Sequence, residues 1–245
     1  MRYLVLADIH ANLPALEAVL ADAQLRGFDQ ILLLGDLVGY GAQPNEVLDR
    51  LAGAPIAGSI RGNHDKVAAG LGDADAFSPV AKQSAEWTCH ALTPAHADVV
   101  RSLPQGPMTV TDWIEICHGS PYDEDAYVLD TLDALNALRA AHRPLCLFGH
   151  SHVPMAFLFA GDQLQHRETA EGSVLQVTPE WTYLVNVGSV GQPRDGDPRA
   201  AYGIADDDRK EVSFFRVPYD VAAAQQAIRD AGLPDALAKR LALGR

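Results

Sequence analysis

Cysteine is scarce in this sequence. There are 3 in 245 residues, widely spaced and with no C-x-x-C pair, which excludes a disulfide scaffold. Positive charge is also scarce: 19 Lys and Arg stand against 32 Asp and Glu, for a net charge of −13. So acidic a chain has no general electrostatic footprint for nucleic acid or for an anionic membrane. No apolar run approaches the roughly 18 residues needed to span a bilayer. The start, Met1 to Asp8, carries one basic residue and a short apolar run that meets a carboxylate at once, unlike a signal peptide. These absences predict a soluble protein of the reducing cytoplasm. A hydrophobic content of 48% excludes a disordered polar chain, and the length is enough for a substantial core. No internal repeat and no clear linker divides the chain, so 1–245 reads as a single domain.

Over the first 150 residues, short apolar runs alternate with helical patterns, which argues for α/β layering. Strands are predicted at 3–7, 30–34 and 55–60, and helices at 14–25 and 44–51, each with a Pro at its start. The stretch 65–105 lacks strand signals and reads as a helical insertion or lid, with helices at 77–91 and 94–103. A strand follows at 109–117. A helix over 129–141 carries Leu129, Leu132, Leu135 and Leu138 at three-residue spacing. Leu145 to Phe148 is again a strand. Beyond His152 the pattern turns to antiparallel β, with a hairpin around Gly161-Asp162 and strands at 174–177, 182–187, 201–206 and 210–217. A helical tail, 220–245, closes the chain.

Polar residues of one chemical kind collect at the strand ends. They are Asp8-Ile9-His10, Gly35-Asp36, Gly62-Asn63-His64-Asp65, His118-Gly119 and Gly149-His150-Ser151-His152. In extended chain, residues two apart share a face, which would pair Asp8 with His10 and His150 with His152. Ligands of open α/β sheets bind at the carboxyl ends of strands. Taken singly, each residue has a plainer reading: a solvated His, a capping Asp, a Gly for a tight turn. The coincidence argues otherwise, because clustering so many imidazoles and carboxylates without a cation is costly. Five of the nine His fall in these clusters; His90, His96, His142 and His166 read as surface residues.

The ordered set from Asp8-x-His10 to Gly149-His150-x-His152 resembles the calcineurin-like metallophosphoesterases, and most of all their small bacterial and archaeal phosphodiesterase branch. Asn186-Val187-Gly188-Ser189 is similar to that branch as well. The resemblance implies a four-layer α-β-β-α sandwich, two mixed β-sheets flanked by helices. It implies one metal on Asp8, His10 and His152, a second on Asn63, His118 and His150, and Asp36 bridging both. It also implies that His64 acts beside the metals as a general acid or transition-state contact, oriented by a carboxylate such as Asp65.

The chemistry expected of such a centre is phosphoester hydrolysis. Two divalent ions clamp the attacking and leaving oxygens of an in-line displacement, and a water shared between them is acidified enough to attack phosphorus as hydroxide. Imidazole, carboxylate and one amide oxygen, with no thiolate, suit Mn²⁺, Fe²⁺, Zn²⁺, Ni²⁺ or Co²⁺. Cys117, next to His118, points to the opposite face and reads as core, as do Cys89 and Cys146.

The candidates around the centre keep two readings each. Asn12 orients a ligand or binds phosphate, or else caps the helix before Pro14. Tyr40 lines the site or is a loop aromatic. Arg61 binds phosphate through its planar fork, or pairs with Asp65 or Asp36. Arg194 sits in the loop after Ser189, within reach of substrate. Trp87, Tyr122 and Tyr127 could stack on a nucleobase. The expected partner is a small phosphoester or nucleotide-type substrate, with a homo-oligomer an open option. A phosphodiesterase is the first reading. The alternatives are a phosphomonoesterase, whether a Ser/Thr phosphatase or a dinucleoside polyphosphate hydrolase, and a non-catalytic scaffold like the retromer subunit of this fold. That subunit lacks the His that is present here as His64.

Overall fold

The computed structural model describes residues 1–167 and 169–245. The chain runs β1 (Arg2–Leu6), α1 (Leu13–Arg26), β2 (Gln30–Leu33), α2 (Pro44–Leu51), β3 (Ile56–Ser59). Three helices follow: α3 (Asn63–Ala68), α4 (Pro79–Ala91) and α5 (Pro94–Ser102). Then come β4 (Met108–Thr109), β5 (Ile114–Ile116), α6 (Thr131–Ala140) and β6 (Leu145–Phe148). The later strands are β7 (Met155–Ala160), β8 (Gln163–Arg167), β9 (Val174–Gln176), β10 (Thr182–Asn186), β11 (Ala200–Asp206) and β12 (Glu211–Val217). The chain closes with α7 (Val221–Asp230) and α8 (Asp235–Leu241).

The strands form two mixed sheets of six, in the orders β3-β2-β1-β11-β12-β9 and β4-β5-β6-β10-β7-β8. Strict alternation builds the layers. In β1, Leu4 and Leu6 face the helices α1 and α2, while Tyr3 and Val5 face the other sheet. In β6, Leu145 and Leu147 face the first sheet, while Cys146 and Phe148 pack under α6. Strands buried on both faces read as continuous apolar runs, which is why these segments stood out in the sequence. Each fully buried Leu, Ile or Val contributes about 1.5–3 kcal/mol, so the sandwich rests on its inter-sheet core. The result is the expected α-β-β-α order.

Caps confirm the helix starts. Asn12, Ser78, Thr93, Asp130 and Asp220 each accept a first-turn amide, worth about 1 kcal/mol apiece. Several sequence expectations need correction. The strand predicted at 109–117 is a short hairpin, with Thr111 accepting from the amides of Trp113 and Ile114 between β4 and β5. The leucine row of 129–141 does not share one face: Leu129 and Leu132 are exposed, whereas Leu138 is buried with Ala134 and Ala137. Three-residue spacing drifts around a 3.6-residue helix, so such a row cannot stay on one face. Cys89 is exposed rather than core, while Cys117 and Cys146 are buried as expected. Among the described residues, no helix is long and apolar enough to cross a membrane.

Candidate metal centre and cleft

Two parallel sets of strands, β1-β2-β3 and β5-β6-β10, end at one place. The loops beyond them are laced together. Asp8 N donates to Gly35 O, His10 N to Asp36 O, and Gly149 N to His118 O. The reason given for pairing Asp8 with His10, and His150 with His152, does not hold. These loops are not extended: Asp8, His10, Asp36, His150 and His152 all have φ between 49° and 65°. Left-handed backbone, not strand alternation, turns the side chains to a common centre.

The side chains converge as acceptors. His10 Nδ1 lies 3.2 Å from Val38 O, and His152 Nδ1 lies 2.6 Å from Gln192 O. A carbonyl only accepts, so both Nδ1 atoms carry the proton and both Nε2 atoms are bare. Those two Nε2 atoms are 3.1 Å apart. Asp36 Oδ2 is 3.5 Å from His10 Nε2, and Asp8 Oδ1 is 3.6 Å from His152 Nε2. Asp8 Oδ2 is buried without a hydrogen-bond partner. Four acceptor groups thus meet with no donor among them, an arrangement that a cation satisfies.

A second group forms on the other side of Asp36. His118 Nδ1 donates to Leu34 O at 2.8 Å, and its Nε2 lies 3.5 Å from Asp36 Oδ2 and 3.2 Å from Asn63 Oδ1. His150 presents its Nε2 to Asp125 O at 3.2 Å, which leaves Nδ1 for the centre. Asp8, His10, Asp36 and His152 can offer ligand atoms within 4.8 Å of one another, as can Asp36, His118 and His150. Asp36 belongs to both groups. Backbone amides hold the carboxylates: His150 N donates to Asp8 Oδ1, and His64 N to Asp36 Oδ1. Such outer partners fix ligand orientation.

Protonation follows burial. Burial pushes His64 down to about 4 and His150 down to about 3, and it holds His10 and His152 well below the usual imidazole range. Burial also opposes charge on His118, but Asp36, hydrogen-bonded to it, and Asp8 outweigh that and raise it to about 10. Burial raises Asp8 to about 7. Asp36 resists burial and stays well below the carboxylate range, because His118 and His64 lie beside it.

The centre opens into a cleft of about 740 Å³. His64, Tyr40, Arg61 and Arg194 line it. The His64 ring is boxed by Tyr40, Phe77 and His10, at centroid distances of 4.2, 4.7 and 5.1 Å. Its buried Nδ1 has no partner. Asp65 does not orient it: its carboxylate accepts from the amides of Gly62, Leu37 and Val38 at 3.0, 3.2 and 3.1 Å. Arg61 pairs with neither Asp65 nor Asp36 but forks onto Glu124, with both contacts at 2.9 Å. Asn12 stays out of the cleft, capping α1 through Ala15 N and donating to Gly191 O. Tyr127 lines the cleft and stacks on His150 at 3.7 Å, while Trp87 packs against the C-terminal helices.

Sequence reasoning missed the bracing role of 186–189, and it missed Lys66 and Arg240 altogether. Ser189 Oγ donates to Asp8 O, and Asn186 Nδ2 donates to Gly149 O and Ser151 Oγ, so the 186–189 segment braces the loops that carry Asp8 and His150. Lys66 joins Glu124 and Asp125 at the rim. Arg240, from α8, reaches the cleft from the far end of the chain. Only the 186–189 motif carried any local signal.

This layered sandwich, with Asp, His and Asn gathered at the ends of its parallel strands, defines a metal-binding phosphoesterase fold. Residues 1–210 match the calcineurin-like phosphoesterase superfamily domain, and the chain belongs to that family. A metallophosphoesterase from Sphaerobacter thermophilus has a crystal structure that is 38% identical in sequence, with a TM-score of 0.85 over 100% of this chain and 99% of that one. An uncharacterized protein of Methanocaldococcus jannaschii, MJ0912, is 34% identical over 98% of this chain and 97% of its own. The Escherichia coli phosphodiesterase YfcE is 24% identical, covering 85% of this chain and 89% of its own.

Proposed function

We propose that the chain is a phosphodiesterase that works with two divalent ions on a small or nucleotide-type phosphoester. The observation that carries this reading is Asp36, whose Oδ2 serves two separate groups of acceptors. Asp8, His10, Asp36 and His152 would hold one ion, and Asp36, Asn63, His118 and His150 the other. The donor set suits Mn²⁺, Fe²⁺, Zn²⁺, Ni²⁺ or Co²⁺. When bound, two such ions supply a nucleophile at neutral pH and neutralise charge on the phosphoryl oxygens. Diester hydrolysis is preferred over monoester hydrolysis because the phosphodiesterase YfcE is similar along most of its length.

The chain's own residues do the rest. His64, neutral and held by its aromatic box, points its ring at the cleft and can donate an N–H to a leaving-group or phosphoryl oxygen. Asp65 positions rather than reacts: by tying Leu37 and Val38 to Gly62 it fixes Asp36 and Asn63 relative to each other. Helices α3 and α4 and the loop between them, with Val67, Leu71 and Phe77, wall one side of the cleft and act as the lid of the site.

The test is a hydrolysis screen after metal stripping. Each metal is added back, and diesters, monoesters and nucleotides are compared. Diester turnover restored by metal is expected. Monoester turnover with diesters untouched would replace the diester reading. Stoichiometric metal loading with no hydrolysis of any ester would leave a non-catalytic binding protein.

A further inference from the structure

The cations of the cleft fall into two unlike pairs. Arg61 and Lys66 are neutralised within the wall by Glu124 and Asp125. Arg194 and Arg240 are not. Among the described residues, neither pairs with a carboxylate side chain, in a chain whose net charge is −13. Arg194 has one terminal nitrogen on Gln192 Oε1 at 3.1 Å, and its Nε is buried with no partner. Arg240 places its Nε on a carboxyl oxygen of the last residue, Arg245, and itself lines the cleft. The two guanidinium carbons lie 5.6 and 5.8 Å from the Tyr40 ring centroid, so both cations flank one aromatic ring. Arg194 N also donates to His152 O, which sets this pair against the candidate metal centre.

Burial, and then the charge of Arg194, make the charge of Arg240 less favourable. Among the described residues no Asp or Glu side chain compensates either of them, and Arg194 has no anionic partner at all. An anionic group on the substrate would complete that compensation. The planar forks match phosphoryl oxygens. The metal centre accounts for the scissile phosphate, and the cleft, within the range of nucleotide-sized sites, has room for a second group.

We propose that Arg194 and Arg240 form a second anion subsite, and that the substrate is a phosphoester carrying a further phosphoryl group on its non-scissile part. This rests on the phosphoesterase reading above. It also gives the C-terminal helix α8 a part in substrate selection.

The test compares two chromogenic probes with the metal-loaded enzyme: thymidine 5′-(4-nitrophenyl phosphate), and the same diester carrying a 3′-phosphate. Wild type is expected to favour the second by about 10–100-fold in kcat/KM, the range of hydrogen bonds to charged groups. Arg240→Gln should remove most of that preference, and Arg240→Lys should restore part of it. Equal use of both probes by wild type, or a ratio unchanged in Arg240→Gln, would overturn the subsite while leaving the phosphodiesterase reading intact. If neither probe turns over, that reading fails, and binding decides the subsite. Calorimetric titration with thymidine 3′,5′-bisphosphate and with thymidine 5′-monophosphate should then show tighter binding of the bisphosphate, lost in Arg240→Gln. No difference between the two ligands overturns the proposal. Circular dichroism and thermal unfolding check that each variant is folded, and Arg194→Gln provides an independent second variant.

Discussion

Gly62 sits where the two ligand loops come closest, and Gly62→Ala isolates the geometry of Asp36. Its φ of −102° and ψ of −179° are extended backbone that alanine adopts freely, so the variant tests space alone. A Cβ there would lie 2.1 Å from Asp36 Oδ1, 2.5 Å from Asp36 N and 2.7 Å from Asp36 Cγ. The closest of these is more than roughly 1 Å short of van der Waals contact. Asp36 cannot retreat easily. Its Oδ1 accepts from His64 N at 2.9 Å, and its carbonyl accepts from His10 N. Relief therefore breaks a hydrogen bond to a charged acceptor, about 1.5–3 kcal/mol. An off-rotamer side chain adds about 0.5–1.5 kcal/mol. The expected loss of stability is about 2–4 kcal/mol. Because Asp36 Oδ2 serves both acceptor groups, a shift of this size spoils both, and a misplacement on the order of 1 Å costs about 10²-fold in rate.

Three measurements follow the variant: denaturant unfolding, metal content after gel filtration, and kcat/KM on a diester. Gly58→Ala is the control. It lies in β3, where an added Cβ would meet only side-chain atoms, the nearest being Ile116 Cδ1 at 3.3 Å. It should cost far less stability and keep the metals. Full metal content and native turnover in Gly62→Ala would refute the shared-carboxylate geometry.

Asp36→Asn removes the charge common to both groups, so metal analysis should find neither ion tightly held; a variant that retains one ion would end the bridging assignment. His64→Ala should keep its metal content and lose about 10²–10⁴-fold in turnover of alkyl diesters, with less loss for nitrophenyl leaving groups; unchanged alkyl turnover would remove His64 from the reaction. Metal uptake should release protons. In the metal-free chain His118 holds its proton up to about pH 10, so between pH 7 and pH 10 apparent affinity should rise by about tenfold per unit from that proton, and more steeply below pH 7, where Asp8 also protonates. An affinity flat from pH 7 to pH 9 would contradict this. Asp65→Asn keeps the shape but replaces a three-amide acceptor with a group that must present a donor, so unfolding should show a loss of about 2–4 kcal/mol together with weaker metal binding.

What the sequence made legible was whatever repeats with a period or sits at an element boundary. The runs at Leu4–Leu6 and Leu145–Phe148, and the cap at Asn12, needed nothing beyond local chemistry. The clusters of His, Asp and Asn were legible because the elements deliver them at strand ends. The backbone that aims them was not, since nothing in Asp8-Ile9-His10 announces positive φ on two of its residues. The partners of Asp65 and Arg61 were equally hidden: they depend on which loops meet, and Glu124 is 63 residues from Arg61. Arg240 is the extreme case. In sequence it is a basic residue in the last turn of a helix, where it reads as a complement to the helix dipole, and only the packing of α7 and α8 onto Tyr40 and Trp87 brings it to the cleft.

The same centre that collects the acceptors also collects the strain. Of the eight non-glycine residues with positive φ among those described, seven are Asp8, His10, Ala11, Asp36, Tyr40, His150 and His152; Lys210, in the turn between β11 and β12, is the other. Each costs about 1–3 kcal/mol. Bare Nε2 atoms 3.1 Å apart and a buried carboxylate oxygen without a partner add to that cost. The surrounding structure holds the arrangement by redundancy: Ser189 and the amides of Val190 and Gly191 secure the Ala7–Asp8 carbonyls, Asn186 the 149–151 turn, and Asp65 the loop after β2. These contacts hold the acceptor groups in a converged arrangement. Groups fixed in this way need little reorganisation to meet a charge, which is what preorganised sites rely on. The braces therefore set the geometry of the candidate centre, although none of them lines the cleft.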